Sequence, residues 1–154
     1  MKRILAAIFA LSLFLVLPAL ATARGEYFNF SLDLDDGWTA GRVDSTPEME
    51  DYRFMPAGET SEFAVTVKRT SALSSHEFAR KLSEQTGGTE PIDNGDGLYR
   101  FVAASDAAKA NILVGMIEGR SIMIVIAGAD PGLKTAAGSF RVKLPFKPKT
   151  DALF

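Results

Sequence analysis

Asn111-Ile112-Leu113-Val114-Gly115-Met116-Ile117 and Ile122-Met123-Ile124-Val125-Ile126-Ala127 decide the architecture. Both segments are apolar at odd and even positions alike, and Glu118-Gly119-Arg120-Ser121 joins them tightly. Successive side chains of a strand point to opposite faces of a sheet. Strands apolar on both parities are therefore expected mid-sheet, covered above and below. Each large side chain fully buried there contributes about 1.5–3 kcal/mol, an upper figure because the unfolded chain is already partly compact.

The segments further toward the N-terminus alternate instead. Phe28, Phe30, Leu32 and Leu34 share one strand face, and Tyr27, Asn29, Ser31 and Asp33 share the other. Asp35-Asp36-Gly37 reads as a turn, after which Trp38 begins a short second strand. Residues 52–55 and 62–69 read as a hairpin, half-buried as in an antiparallel sheet with one wet face. Ser74 with Glu77 three residues later matches a capping box, and Gly87-Gly88 supplies the stop. Phe78 and Leu82, four apart, share one face of that helix. A turn at Asp93-Asn94-Gly95-Asp96-Gly97 precedes a strand over residues 98–104. Asp130-Pro131 reads as N-cap and first position of a second helix, which reaches about Ser139.

These elements predict an α+β domain: a central, mostly antiparallel sheet flanked by two helices on opposite sides, an α/β/α sandwich. The alternative is a small sandwich with one helix on each strand-rich layer.

The N-terminus reads as a targeting segment. Lys2 and Arg3 precede an uncharged run over residues 4–17, Pro18 breaks it, and small residues recur at Ala19, Ala21 and Ala23. That is the layout of a secretory signal peptide, shorter than a spanning helix needs. Cleavage is expected after Ala23. Residues 1–23 are then the signal, 24–143 a single domain and 144–154 a C-terminal tail. Lys2 and Arg3 belong to the signal, so a mature chain with 19 acidic residues is weakly acidic, and nothing suggests nucleic acid. Without cysteine there is no disulfide, thiol chemistry or lipidated-cysteine anchor.

Four features now stand in order: the strand Phe28-Asn29-Phe30-Ser31-Leu32-Asp33-Leu34 with its Asp36-Gly37-Trp38 turn, the Ser-capped helix with Phe78, the Gly97-Leu98-Tyr99-Arg100-Phe101 strand, and the apolar hairpin with its Asp-Pro-started helix ending at Ser139-Phe140. This pattern resembles the PsbP/Mog-type superfamily, including its exported bacterial members of the DcrB-like kind. The resemblance spans residues 26–143 and is loose over residues 43–50, where Asp44-Ser45-Thr46-Pro47 looks like an insertion. It implies a PsbP-like α/β/α sandwich and a non-catalytic accessory or binding role. Family members support photosystem II or bind a small GTPase, but no binding motif of theirs matches here residue by residue, so neither role carries over.

No residue set stands out as catalytic. His76, the only histidine, falls in the first turn of a helix, where an imidazolium is disfavoured and a Ser-His-acid set has no elbow motif to serve. Asp93 to Gly97 lacks the closing glutamate of a calcium loop, since position 104 is Ala. Asp33, Asp35 and Asp36 read as a solvated strand edge and turn. No phosphate-cradling glycine motif occurs. Trp38 reads as a packing residue, with ligand stacking as the functional reading. Arg141, Lys143, Lys147 and Lys149, with Phe146 and Pro145 among them, read as a solvated tail that could touch anionic lipid or an acidic partner.

The expectation is an exported, periplasmic or secreted, non-catalytic accessory protein binding an unidentified envelope protein or small ligand, with no cofactor or metal. A carboxylate-based hydrolase or carbohydrate-active enzyme, and a tethered structural envelope component, are the alternatives.

Overall fold

A computed structural model of the chain describes residues 22–46, 48–58, 60–69, 74–104, 109–143 and 148–154. In chain order the elements are β1 (Thr22–Glu26), β2 (Phe30–Asp35), β3 (Trp38–Ser45), β4 (Met49–Pro56), β5 (Glu62–Arg69), α1 (Ser75–Thr86), β6 (Ile92–Asp93), β7 (Leu98–Ala104), β8 (Lys109–Ile117), β9 (Arg120–Ala127), α2 (Gly132–Ser139) and β10 (Arg141–Val142), with a final 3-10 turn over Asp151–Leu153. Most of the expected signal lies outside the described residues, as do Pro145, Phe146 and Lys147 of the basic stretch.

The apolar hairpin is central, as its composition demands. Seven antiparallel strands run in the order β3-β4-β5-β9-β8-β7-β6, with β9 fourth of seven. Glu118 and Gly119 both have positive φ, 48° and 75°, which lets a two-residue turn follow the twist of β8 and β9. Ile122, Ile124 and Ile126 point into one layer and are buried, while Met123 and Val125 point into the other and are half-buried.

The two faces are covered differently. Helix α1 lies on β7 and β8, with Ala79, Phe78 and Leu82 packed against Phe101, Ile112 and Val114. Its N-terminus carries the capping box, Ser74 and Glu77, and it ends on Gly87 at φ 62°. The opposite face meets α2 together with a second sheet, ordered β1-β2-β10. The helices are thus on opposite sides, but a two-helix α/β/α sandwich is incomplete as a description: a three-stranded sheet shares α2's layer. Phe30, Phe63 and Phe140 join that layer to the central sheet, with ring centroids 5.6 and 6.2 Å apart across Phe140.

Three local differences have clear causes. The alternation through Phe28 breaks: Phe28 is 60% exposed while Asn29 and Ser31 are buried, because the Tyr27 amide donates to the Phe30 carbonyl and turns the chain just before β2. Asp44 and Ser45, expected in a polar loop, form the end of β3, with a register shift between Arg42 and Asp44, while Pro47 lies outside the described residues. Helix α2 starts at Gly132, two residues after Asp130, whose carboxylate still holds the Gly132 amide at 2.7 Å.

Residues 148–154 are anchored by Pro148, Thr150 and Leu153, which are buried, while Lys149, Asp151, Ala152 and Phe154 are exposed. Leu153 is buried in the main core and Thr150 is buried beside it, its hydroxyl donating to the Ala137 carbonyl. The Asp93–Gly97 turn is what receives them: Asp96 accepts from the Lys149 amide at 2.6 Å, and Asn94 donates to the Lys149 carbonyl at 2.8 Å. Isolated basic and proline residues suggested a tail because nothing in local sequence announces a docking partner fifty residues away.

Candidate functional site

Register places polar residues at opposite ends of the apolar inner layer. At one end Asn111 pairs with Ile126, Ile126 with Phe63 and Phe63 with Phe54. At the other, Gly115 pairs with Ile122, Ile122 with Val67 and Val67 with Glu50.

The Asn111 end opens as a hollow of about 420 Å³ between β8, β9, α2 and the final turn. Its floor is Ile126, Leu133 and Leu153, all buried. Asn111 is half-buried there, and among the described residues its carboxamide has no hydrogen-bond partner. Asp130 and Lys134 stand on the rim, with the Lys134 ammonium 5.9 Å from the centre of the Phe154 ring. The wall is pinned from beneath: the buried Ser61 hydroxyl accepts from the Ala129 and Asp130 amides at 3.2 and 3.1 Å.

Asp130 and Pro131 also line a neighbouring hollow of about 360 Å³, which contains Trp38. Trp38 packs against the core from the start of β3, its indole over Gly132. An apolar floor with a few converging polar groups is the usual make-up of a small-ligand site. The exposed ends of these hollows can offer ring stacking, an amide donor and acceptor, the ammonium of Lys134 and the carboxylates of Asp35, Asp36 and Asp130.

The Glu50 end is built otherwise. Glu50 is fully buried, and its two carboxylate oxygens accept from the Phe28 and Asn29 amides at 2.7 and 2.6 Å. With Glu26, Tyr27, Phe28 and Tyr52 it lines a cup of about 290 Å³. The rings of Tyr27 and Tyr52 meet at 4.4 Å. Burial, then the nearby Tyr52 and Glu50, push the Tyr27 phenol above its usual range. Glu26 is held below the ordinary glutamate range by hydrogen bonds from Arg24 and then Lys143.

Of the other sequence candidates, His76 and the Asp93–Gly97 turn stay apart from both ends, whereas Asp35 and Asp36 line the Trp38 hollow and Lys143 reaches Glu26 at the edge of the Glu50 cup. His76 is exposed, its ring 5.2 Å from Tyr99. Asp33 pairs with Arg24 at 3.3 Å, and Asp35 accepts from the Thr135 hydroxyl. Asp93 and Asp96 cap their own turn through the Gly95 and Leu98 amides. Lys143 contacts Glu26 at 3.1 Å. Asn111 and Glu50 went unnoticed in sequence, although each carried a signal. Glu50 shares its parity with Tyr52 and Phe54, and Asn111 shares its parity with Leu113, so both are polar residues on an otherwise apolar face.

A scan against protein-family models found no match, and neither did a comparison with curated protein sequences. Comparison of folds did. The chain has a PsbP-like fold. It is similar to the solution structure of cyanobacterial PsbP (CyanoP) from Synechocystis sp. PCC 6803, at a TM-score of 0.50, over 82% of this chain and 95% of that one, with 14% identical residues. At that identity the likeness defines the fold alone. No helix among the described residues is long and apolar enough to cross a membrane.

Proposed function

We propose that this is an exported, non-catalytic accessory protein of the bacterial cell envelope, akin to the DcrB-like exported members, that binds a small ligand or a partner's side chain in the hollow beside Asn111. One observation carries the reading: a half-buried carboxamide without a partner among the described residues, set in an apolar-floored hollow of about 420 Å³. Such a group gains more from a ligand's hydrogen bond than an exposed one, because the alternative is an incompletely satisfied polar atom. The PsbP-like fold and the signal-like first 23 residues support an accessory role outside the cytoplasm. Trp38, next door across Asp130 and Pro131, extends the same surface. Of the nearby carboxylates, Asp130 holds the Gly132 amide and Asp35 accepts from the Thr135 hydroxyl, contacts that position α2.

Two measurements test this. The full chain, expressed in a bacterium with two membranes, should appear in the periplasmic fraction with its signal removed. A start at Arg24 leaves β1 paired over Arg24↔Asp33, Gly25↔Leu32 and Glu26↔Ser31, whereas a start at Thr22 keeps Thr22↔Asp35 and Ala23↔Leu34 as well; the mass decides between them. An intact N-terminus in the membrane fraction contradicts the reading. Trp38 is the sole tryptophan, so its fluorescence should change saturably with a fractionated envelope extract, and less so in Asn111→Leu. Turnover in a hydrolase screen, lost in Asp130→Asn, would establish the enzymatic alternative.

A further inference from the structure

Charges of the two signs stand in different parts of the hollow beside Asn111. Asp130, half-buried, belongs to the wall shared with the Trp38 hollow, where Asp35 and Asp36 stand as well. Lys134 is exposed and lines only the Asn111 hollow, beside the Phe154 ring. Neither charge is paired: among the described residues no cationic group meets the Asp130 carboxylate and no carboxylate meets the Lys134 ammonium. Asp130 gives Oδ1 to the Gly132 amide at 2.7 Å, and its Oδ2 accepts from no described residue. The Asn111 carboxamide adds a carbonyl and an NH₂ group, both without partners among the described residues.

These groups divide the chemistry of a ligand among them. A half-buried carboxylate with an open oxygen suits a cation that donates hydrogen bonds, because charge-assisted bonds are the strong ones. The Lys134 ammonium suits an anion. The Asn111 carboxamide can donate to that anion and accept from that cation. The floor of Ile126, Leu133 and Leu153 favours an apolar body. A simple cation would face Lys134 and a simple anion would face Asp130, and like charges brought together in a site cost affinity. A zwitterion with an apolar side chain meets all four demands. At about 420 Å³ the hollow lies toward the small end of ligand sites.

We infer that the hollow beside Asn111 binds an α-amino acid or short peptide with free termini and an apolar side chain, its ammonium at Asp130 and its carboxylate at Lys134. This rests on the reading of the hollow as a binding site and names the ligand. The test is a titration of the purified protein with leucine and with leucyl-leucine, followed by the side-chain amide resonances of Asn111. A saturable shift is expected, and the tighter ligand identifies the source as a free amino acid or a peptide. Acetylating the ammonium of that ligand, or converting its carboxylate to the amide, should weaken binding about tenfold. Asp130→Asn keeps the oxygen that holds Gly132 but removes the charge; it should weaken the tighter ligand about tenfold and leave its acetylated derivative unaffected. Lys134→Gln, at an exposed site, should weaken it about two- to fivefold, leave its amide derivative unaffected, and not change the melting temperature. Equal affinity for the blocked derivatives, or unchanged affinity in either variant, overturns the inference. So does an Asn111 signal that moves with an envelope fraction but with neither leucine nor leucyl-leucine, a result that leaves the hollow a binding site for something else. A signal that moves with none of them overturns both readings.

Discussion

The indole of Trp38 lies so close to Gly132 that a Cβ on that glycine would stand 2.6 Å from Nε1 and 2.9 Å from Cε2. This contact joins the start of β3 to the first residue of α2 and fixes the wall between the two neighbouring hollows.

Gly132→Ala should therefore push the indole outward. Alanine favours helix over glycine by up to about 1 kcal/mol, but overpacking costs about 1–3 kcal/mol, and the second effect should win. The expected result is a red-shifted Trp38 emission with a lower melting temperature. Unchanged emission with equal or greater stability would contradict the contact.

Glu50 predicts a stability effect from hydrogen bonding. Glu50→Ala strips the Phe28 and Asn29 amides of their acceptor, and a buried donor left unsatisfied costs about 1–3 kcal/mol. Denaturant unfolding should show a loss of about 2–5 kcal/mol for Ala and less for Gln, whose one carbonyl oxygen can still serve one amide. An unchanged midpoint for Glu50→Ala would remove this role.

The centre of the sheet predicts an asymmetry between adjacent residues. Ile124 is fully buried beneath the α2 layer, whereas Val125 is only half-buried on the α1 side. Ile124→Asp should prevent folding, because an unpaired charge would be buried; Val125→Asp should fold with a lowered melting temperature. Soluble Ile124→Asp with an unaltered transition would place β9 elsewhere.

A pH effect follows from the α1 capping box. The Ser74 backbone amide, then its hydroxyl, hold the Glu77 carboxyl below the ordinary glutamate range. A group whose value is lowered by folding stabilises the fold above its unfolded value, and that contribution is lost as pH falls through the folded one. Glu77→Gln should thus melt lower than the wild type at neutral pH, and the gap should close on acidification. A gap independent of pH would mean that the charge contributes nothing.

What local pattern determines was legible in the sequence. The double-sided apolarity of residues 122–127 located the central strand, and Ser74, Glu77 and Gly87 bounded α1, because burial and capping act over a few residues. Assignment of layers was less accessible. β2 alternates like a strand of the main sheet, yet Asp36 and Gly37, the latter at φ 86°, send the chain across to a different sheet. Periodicity specifies which face is buried and not what buries it. The candidate sites were the least visible part, since Asn111 and Glu50 gain meaning only once register places them at the ends of an apolar layer. Trp38 was noticed for its rarity, and its neighbours Asp130 and Gly132 are almost a hundred positions away.

The most direct test of a binding role is the side-chain amide resonance of Asn111. With three asparagines and one glutamine in the chain, the Asn111 signal can be identified by its disappearance in Asn111→Ser. On titration with the small-molecule and protein fractions of the native envelope, that pair of resonances should shift saturably with one fraction, while those of Asn94, bonded to Asp96 and Lys149, should stay fixed. An Asn111 signal unmoved by every fraction, in a protein shown to be folded, would contradict the account.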